Sequence, residues 1–377
     1  MPKYKLGEIC EIVSGSTPKT SIAEYWDGEL KWITPAEIND DTYIITDSVR
    51  KITELGVKKT GLTSFPEGTV ILSSRAPIGK IAIAGCEMYC NQGFKNLICT
   101  EKINNRYLYW FLKRNTKYLN SLGRGATFKE ISKQIVSGIE INVPDMNQQL
   151  QAVESLERVS RIMCLRKQEL QRFDDLFKAR FVEMFGTLDS PSQEFGKATL
   201  KELCNKITDG KHGGCKSEQG TERYFVGARE IYDDEVHYDT APEINVDEFE
   251  KDYKRCNIEI GDLLIVNTGA TIGKSAIATD GRTKHTLLQK SVALLKVKKE
   301  LLNPVFLKWC YRINTQMYLV KSASAQPNLL LSKINATVIY VPNIELQNEF
   351  ADFVKQVDKS KYDAMYVDIN VLEYRCK

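Results

Sequence analysis

Residues 67–84 read EGTVILSSRAPIGKIAIA, and residues 260–278 read IGDLLIVNTGATIGKSAIA. Each is an apolar run, a turn carrying Gly and Lys, and a second apolar run. TVILSS (69–74) and DLLIVN (262–267) are short, bounded by Gly and rich in Val, Ile and Leu. That composition predicts buried strands. Their likeness across a period of about 195 residues points to a duplicated unit rather than one large domain.

Other blocks return in the same order. LGEICEIVSG (6–15) returns as LKELCNKITDG (200–210), and KWITPAEI (31–38) as RYFVGAREI (223–231). YLYWFL (107–112) returns loosely as FLKWCY (306–311), and INVPDMNQQ (141–149) as IYVPNIELQ (339–347). Chance can produce one such pair but not five in order. Each copy opens on a segment ending in a turn signal, Ser14-Gly15 or Asp209-Gly210. Each has a helical stretch, Arg106 to Leu122 or Pro304 to Val320, and Pro304 suits a first helical turn. Each closes on a short strand ending Val143-Pro144 or Val341-Pro342.

The texture changes after each Val-Pro. Residues 147–185 contain no Gly or Pro, and Leu156, Met163, Leu170, Phe177 and Met184 recur every seven residues, with Val159 and Phe173 between. This spacing predicts a long helix with a heptad seam, stopped at Phe185-Gly186. Leu346, Phe350, Phe353, Val357 and Ala364 give the tail a matching seam, weakened at Ser360. The expectation is an antiparallel coiled coil; two independent amphipathic helices are the plainer alternative. Arg166 and Arg180 interrupt the seam, either as solvated flanks or as partners of acidic groups.

Bulk properties exclude several classes. The 377 residues are 42% hydrophobic and 27% charged, ordinary for a globular protein. No apolar run approaches the roughly 18 residues of a membrane helix. The opening MPKYKLGEIC has no signal core, so the expectation is a cytoplasmic chain with reduced cysteines. Cys86, Cys90 and Cys99 do not continue into a second metal-binding pair, and His212, His237 and His285 do not complete one. The net charge of +3 is unevenly spread. Residues 1–144 carry 19 basic against 15 acidic side chains and 196–342 carry 21 against 18. Residues 145–195 carry 7 against 9 and 343–377 carry 5 against 7. The two repeats thus favour a polyanion and the helical stretches do not.

Gly269-Ala-Thr-Ile-Gly273-Lys274-Ser275 imitates a phosphate-binding loop but has three residues between its glycines where that loop needs four. The first copy, Ala76-Pro77-Ile78-Gly79-Lys80-Ile81, lacks the first Gly and puts Ile at the hydroxyl position. What both retain is a strand, a tight turn and a lysine. No nucleophile triad, H-E-x-x-H or G-x-S-x-G is present. A duplicated domain without such motifs favours binding over catalysis.

At this point the blocks resemble a known family, the specificity subunits of type I restriction-modification systems. VSGSTPKTSIAEYWDGELKWITPAEI (13–38), ITDGKHGG (207–214), GDLLIVNTGATIGKSAIA (261–278), INVPDMNQQ (141–149) and FDDLFKARFVEMFG (173–186) carry the likeness, which covers nearly the whole chain. The resemblance implies an α+β fold of two tandem, similar target-recognition domains, mixed β-sheets with helices. Long helices packed as an antiparallel coiled coil join them with pseudo-two-fold symmetry. The expected boundaries are 1–144 and 191–342 for the domains, 145–190 and 343–377 for the spacer helices. It implies that each domain reads half of a split double-stranded DNA site and that the helices set the spacing. It also implies docking of two methyltransferase subunits and of restriction subunits, which would bind S-adenosylmethionine, ATP and Mg²⁺; this chain would hold no cofactor, metal or catalytic residue. The alternatives are a stand-alone duplicated DNA-binding protein outside restriction, and an enzyme using the Gly-rich turn on nucleotides.

The candidate DNA contacts are polar residues at repeated loop positions. They are Lys19, Arg75, Lys80, Lys95, Arg124 and Lys129 in the first copy, and Lys211, His212, Lys216, Arg229, Asn267, Lys274, Gln326 and Asn328 in the second. Lys and Arg neutralise phosphates; Arg, Asn and Gln can read base edges. For any one of them, solvated surface charge is the competing explanation.

Overall fold

A computed structural model describes residues 1–75, 77–125, 129–317 and 328–375, with residues 360–375 as backbone alone. The chain divides into two compact units, Met1–Arg166 and Lys167–Lys377, so the division falls inside a helix that runs unbroken from Met146 to Phe185.

In the first unit, strands Cys10–Ser14, Lys95–Cys99, Val70–Leu72 and Ile81–Ala84 lie side by side, each antiparallel to the next. Ile44–Ile45 adds a parallel edge. In the second, Cys204–Asp209, Val292–Val297, Leu263–Val266 and Ser275–Ile277 repeat that order and sense. The strands expected at 69–74 and 262–267 are thus central. Both are buried along their whole length, which is why their sequences do not alternate polar with apolar.

The smaller pairings repeat too. Trp26–Ile33 runs parallel to Tyr89–Cys90, as Tyr224–Val226 does to Thr286–Leu288. Lys3–Lys5 is antiparallel to Glu140–Asn142, as Gly196–Thr199 is to Val338–Val341. The turn glycines have a packing reason. A Cβ on Gly15 would lie 2.0 Å from the Cys90 carbonyl oxygen, and one on Gly210 would lie 2.1 Å from that of Leu288.

One helix per unit covers the sheet. Asn105–Arg114 buries Leu108, Tyr109 and Leu112; Pro304–Ile313 buries Phe306, Leu307, Trp309, Cys310 and Tyr311. The first is shorter than the stretch expected from sequence, because Asn115 caps it and a second short helix, Thr116–Ser121, follows.

The Val-Pro junctions end in a shared fastening. Gln149 and Gln347, each one turn into a long helix, are buried at 1% and 0% exposure. Gln149 Oε1 accepts from the Asn104 N–H at 2.8 Å, while Nε2 donates to the carbonyls of Lys102 at 3.1 Å and Pro144 at 2.9 Å. Gln347 makes the same three bonds, from Asn303 N–H at 2.8 Å and to Leu301 and Pro342 at 3.1 and 2.8 Å. Asp145 and Asn343 cap the two helices by accepting from the N–H three residues on.

The second long helix spans Ile344–Arg375. Within the second unit the two long helices run antiparallel: Phe181 and Phe185 meet Phe350 (ring centroids 5.3 and 5.7 Å apart) and Phe177 meets Phe353 (6.2 Å). Phe177, Phe181 and Phe185 are buried and Phe173 and Met184 pack beside them. Phe173, Phe177 and Met184 thus pack as the seam predicts, and Phe181 and Phe185 widen it to the stripe of a helix that also lies on a globular core. The remaining seam residues Leu156, Val159, Met163 and Leu170 are exposed. The side chains of Ser360 and Ala364 lie outside the described residues. Arg180 takes the paired option, reaching Glu349 across the helix pair at 3.0 Å.

Candidate nucleic-acid interface

The hairpin that follows each central strand builds the site. In the first unit Ser73 N–H donates to the Lys80 carbonyl at 2.8 Å and Gly79 N–H returns to the Ser73 carbonyl at 3.1 Å. The turn needs Gly79 at φ +93°. Within the hairpin's loop the chain is held on both sides at its start. Ser74 N–H donates to Gly93 at 2.7 Å, and the Ser74 carbonyl accepts from Ile131 at 2.9 Å. Arg75 pairs with Glu130, and Glu130 also exchanges two backbone bonds of 3.0 Å with Arg124.

The second unit rebuilds the hairpin and the bonds that hold the residues after it. Val266 N–H donates to Lys274 at 2.8 Å, and Gly273, at φ +88°, donates back to Val266 at 2.9 Å. Asn267 N–H donates to Ser291 at 3.0 Å, its carbonyl accepts from Leu329 at 2.7 Å, and Thr268 pairs with Asn328. The phosphate-loop imitation is therefore a β-hairpin: the strand Ser275–Ile277, not a helix, follows Gly273-Lys274. A helix N-terminus that would cradle a phosphate is absent from it.

The frame gathers four first-copy candidates around one carboxylate. Arg75 and Arg124 flank Glu130 through backbone pairing, Lys129 precedes it, and Lys95 Nζ lies 3.4 Å from its Oε1. Arg124 and Lys129 are exposed and Arg75 half-buried. Lys95 is buried, with further bonds to the Ser74 hydroxyl and the Phe94 carbonyl. Lys80 spends its ammonium on the Pro35 carbonyl at 2.8 Å. Lys19 stands apart, exposed, with its carbonyl accepting from the Trp26 indole.

In the second copy Lys274 is exposed without a side-chain partner among the described residues, and so is Arg229. Asn328 is exposed beside Thr268, whose hydroxyl donates to its Oδ1 at 3.3 Å. Asn267 is buried and serves the frame through its backbone. Lys211 is clasped by Asp252 at 2.7 Å and Glu248 at 3.3 Å, and the Asp252 carboxylate raises its ammonium above the usual lysine range. Glu248 also accepts from the Lys216 N–H, which with Lys211 holds its carboxyl below the ordinary value. His212 leans on Asp209 at 3.2 Å, a carboxylate it shares with Arg255; the Lys216 side chain is exposed. Gln326 lies outside the described residues.

Sequence reading overlooked Glu130 and Thr268, because an acidic or a small neutral residue is not a first choice against DNA. A signal exists for the partner pair. Counting fourteen residues back from Pro144 and from Pro342 lands on Glu130 and Asn328. No group of three or more metal-ligating side chains occurs among the described residues, nor is any helix there long and apolar enough to cross a membrane.

Comparison with known proteins agrees with the duplication. A family model described as the type I restriction modification DNA specificity domain matches residues 1–172 and again 193–374. The MjaIX type I restriction enzyme specificity subunit of Methanocaldococcus jannaschii is 37% identical over 186 residues, 48% of this chain and 43% of that one. The EcoprrI specificity subunit of Escherichia coli is 30% identical over 97 residues, covering 26% of this chain and 24% of its own. The matched stretches thus span less than half of either relative. In fold, the chain is similar to the type I restriction-modification S subunit from M. genitalium, with a TM-score of 0.55, 15% identity and coverage of 98% and 93% of the two chains.

Proposed function

The chain belongs to the type I restriction-modification DNA specificity family, and from that premise we propose that it reads a split DNA site, one half with each repeat. It contributes no catalytic group of its own. Methyltransferase subunits, docked on the long helices, would supply S-adenosylmethionine and adjoining restriction subunits ATP and Mg²⁺. The complex acts in the cytoplasm.

The observation that carries this reading is the repeated frame. The same backbone hydrogen bonds hold residues 73–75 against 130–131 and 266–268 against 328–329, yet the outward side chains differ. One scaffold presenting two chemistries suits two unlike half-sites. A nucleotide-hydrolysing reading draws no support from a hairpin that leads into a strand. Among the candidates, Lys19, Arg124, Lys129, His212, Lys216, Arg229, Lys274 and Asn328 project outward, with half-buried Arg75 beside them. Lys80, Lys95, Lys211 and Asn267 are committed to holding loops in place.

The test is to map methylated bases in cells carrying this chain with its methyltransferase. A bipartite motif with a fixed gap is expected; methylation without a motif, or with a single undivided motif, overturns the proposal.

A further inference from the structure

We infer that residues 130 and 328 are equivalent base-reading positions: Glu130 selects a base presenting an exocyclic amine, cytosine foremost, and Asn328 selects adenine. This rests on the DNA-reading function proposed above and assigns its chemistry to two side chains.

Three observations converge. First, the two residues occupy the same place in the repeated frame. Each pairs with the residue two beyond the one whose N–H closes the hairpin, Ser73 or Val266, and the residue after each donates its N–H into the same bend, at 2.9 Å and 2.7 Å. A side chain leaving the backbone there sets out from the same point in both repeats. Second, each is accessible. The Glu130 side chain is 41% exposed and Asn328 is exposed, whereas the flanking Ile131 and Leu329 are both fully buried and fix the backbone. Third, each has a polar neighbour within reach. Lys95 Nζ, itself buried, lies 3.4 Å from Glu130 Oε1, and Thr268 Oγ1 lies 3.3 Å from Asn328 Oδ1 and equally 3.3 Å from Asn267 Oδ1, so its single proton serves one of the two at a time.

The chemistry then divides them. An ionised carboxylate is acceptor only, so it accepts from an N–H of a base edge, and in the major groove the matching partner is the cytosine N4 amine. An Asn carboxamide offers a donor and an acceptor together, the pattern that fits adenine N6 and N7. Beside DNA a carboxylate also repels phosphates, so it does not add to general affinity. Arg75, Arg124 and Lys129 around Glu130 offset that repulsion and bring the backbone to it.

The experiment measures the sequence preference of the full chain with its methyltransferase subunits on a randomised double-stranded DNA library. It compares wild type, Glu130→Gln and Asn328→Asp. Glu130→Gln should relax or change one base position in one half-site, cutting discrimination there about tenfold, and leave the other half-site unaltered. Asn328→Asp should do the same to the other half-site alone. A uniform change of affinity across all sequences, or no change in preference at either position, overturns the assignment. If Glu130→Gln does not fold, Asn328→Asp decides alone. A wild type without any sequence preference would refute the DNA-reading proposal itself, an outcome distinct from an unaltered preference in the variants.

Discussion

Replacing Gln347 by Leu should unfasten the second long helix from its repeat. Leu has nearly the volume of Gln, so no sizeable cavity forms and the loss is one of hydrogen bonds. The wild-type amide satisfies the Asn303 N–H and the carbonyls of Leu301 and Pro342. Leu301 as a whole is 44% exposed, so water can serve its carbonyl after the change, whereas Pro342 is buried. Two groups are therefore orphaned, at about 1–3 kcal/mol each, for a total of roughly 2–6 kcal/mol. Against a domain stability of about 5–15 kcal/mol that is a large fraction. With a urea slope of about 2–3 kcal/mol per M, the midpoint for this unit falls by roughly 0.7–3 M. Hydrogen exchange followed by peptide mass spectrometry gives the local readout, since the Asn303 amide and the first turn of Pro304–Ile313 lose protection before the sheet does. The exposed neighbour Glu345→Ala is the control. A Gln347→Leu midpoint within about 0.2 M of wild type, with Asn303 still protected, would refute the argument, and Gln149→Leu must behave alike in the first unit.

Phe181→Ala, at a fully buried ring meeting Phe185, Phe306 and Phe350, should cost about 3–5 kcal/mol in thermal or urea unfolding, while Met163→Ala, 67% exposed on the same helix, should cost under about 0.5. Gly210→Ala drives a methyl to 2.1 Å from the Leu288 carbonyl and should destabilise the unit by about 2–3 kcal/mol, with hydrogen exchange rising across Thr286–Leu288. Asp280, whose bonds from Arg282 hold its carboxyl below the ordinary 3.8, stabilises the fold above that value and ceases to as pH falls through its lower folded value. Asp280→Ala should thus cost about 0.5–1 kcal/mol at pH 7, where its cap of the turn at Arg282 is lost, and progressively less as the pH falls below 3.8 through its lower folded value. Arg124→Ala should weaken binding to all DNA sequences alike and flatten the salt dependence by about one unit of slope, read by titration at several salt concentrations.

Repetition made much of the fold readable. The strands at 69–74 and 262–267, the Val-Pro junctions and the long helix could each be checked against a second copy of the same chain. The site was harder, because cation chemistry depends on partners distant in sequence. Lys211 meets Glu248 and Asp252, Lys80 meets the Pro35 carbonyl, and Lys95 turns inward beneath Glu130. No local pattern announces such partners, and the strand Lys95–Cys99, buried at Lys95, Asn96 and Leu97 in succession, has no alternation that would mark the face its first residue takes. The heptad reading placed a seam along the whole helix; it holds at Phe173, Phe177 and Met184, where Phe181 and Phe185 add burial that a period of seven passes over, while Leu156, Val159, Met163 and Leu170 are exposed.

The unbroken helix Met146–Phe185 has an evolutionary corollary. Its first turns give Gln149 and Val153 to one core, and its last turns give Phe177, Phe181 and Phe185 to the other, while residues 158–165 are all exposed. Recombination between relatives that cut the gene at 186–192 would strand three phenylalanines on the wrong parent, matched to a core they did not evolve with. A crossover inside 158–165 exchanges whole interiors. New pairings of the two repeats therefore keep both cores intact when the splice passes through the exposed middle of the helix.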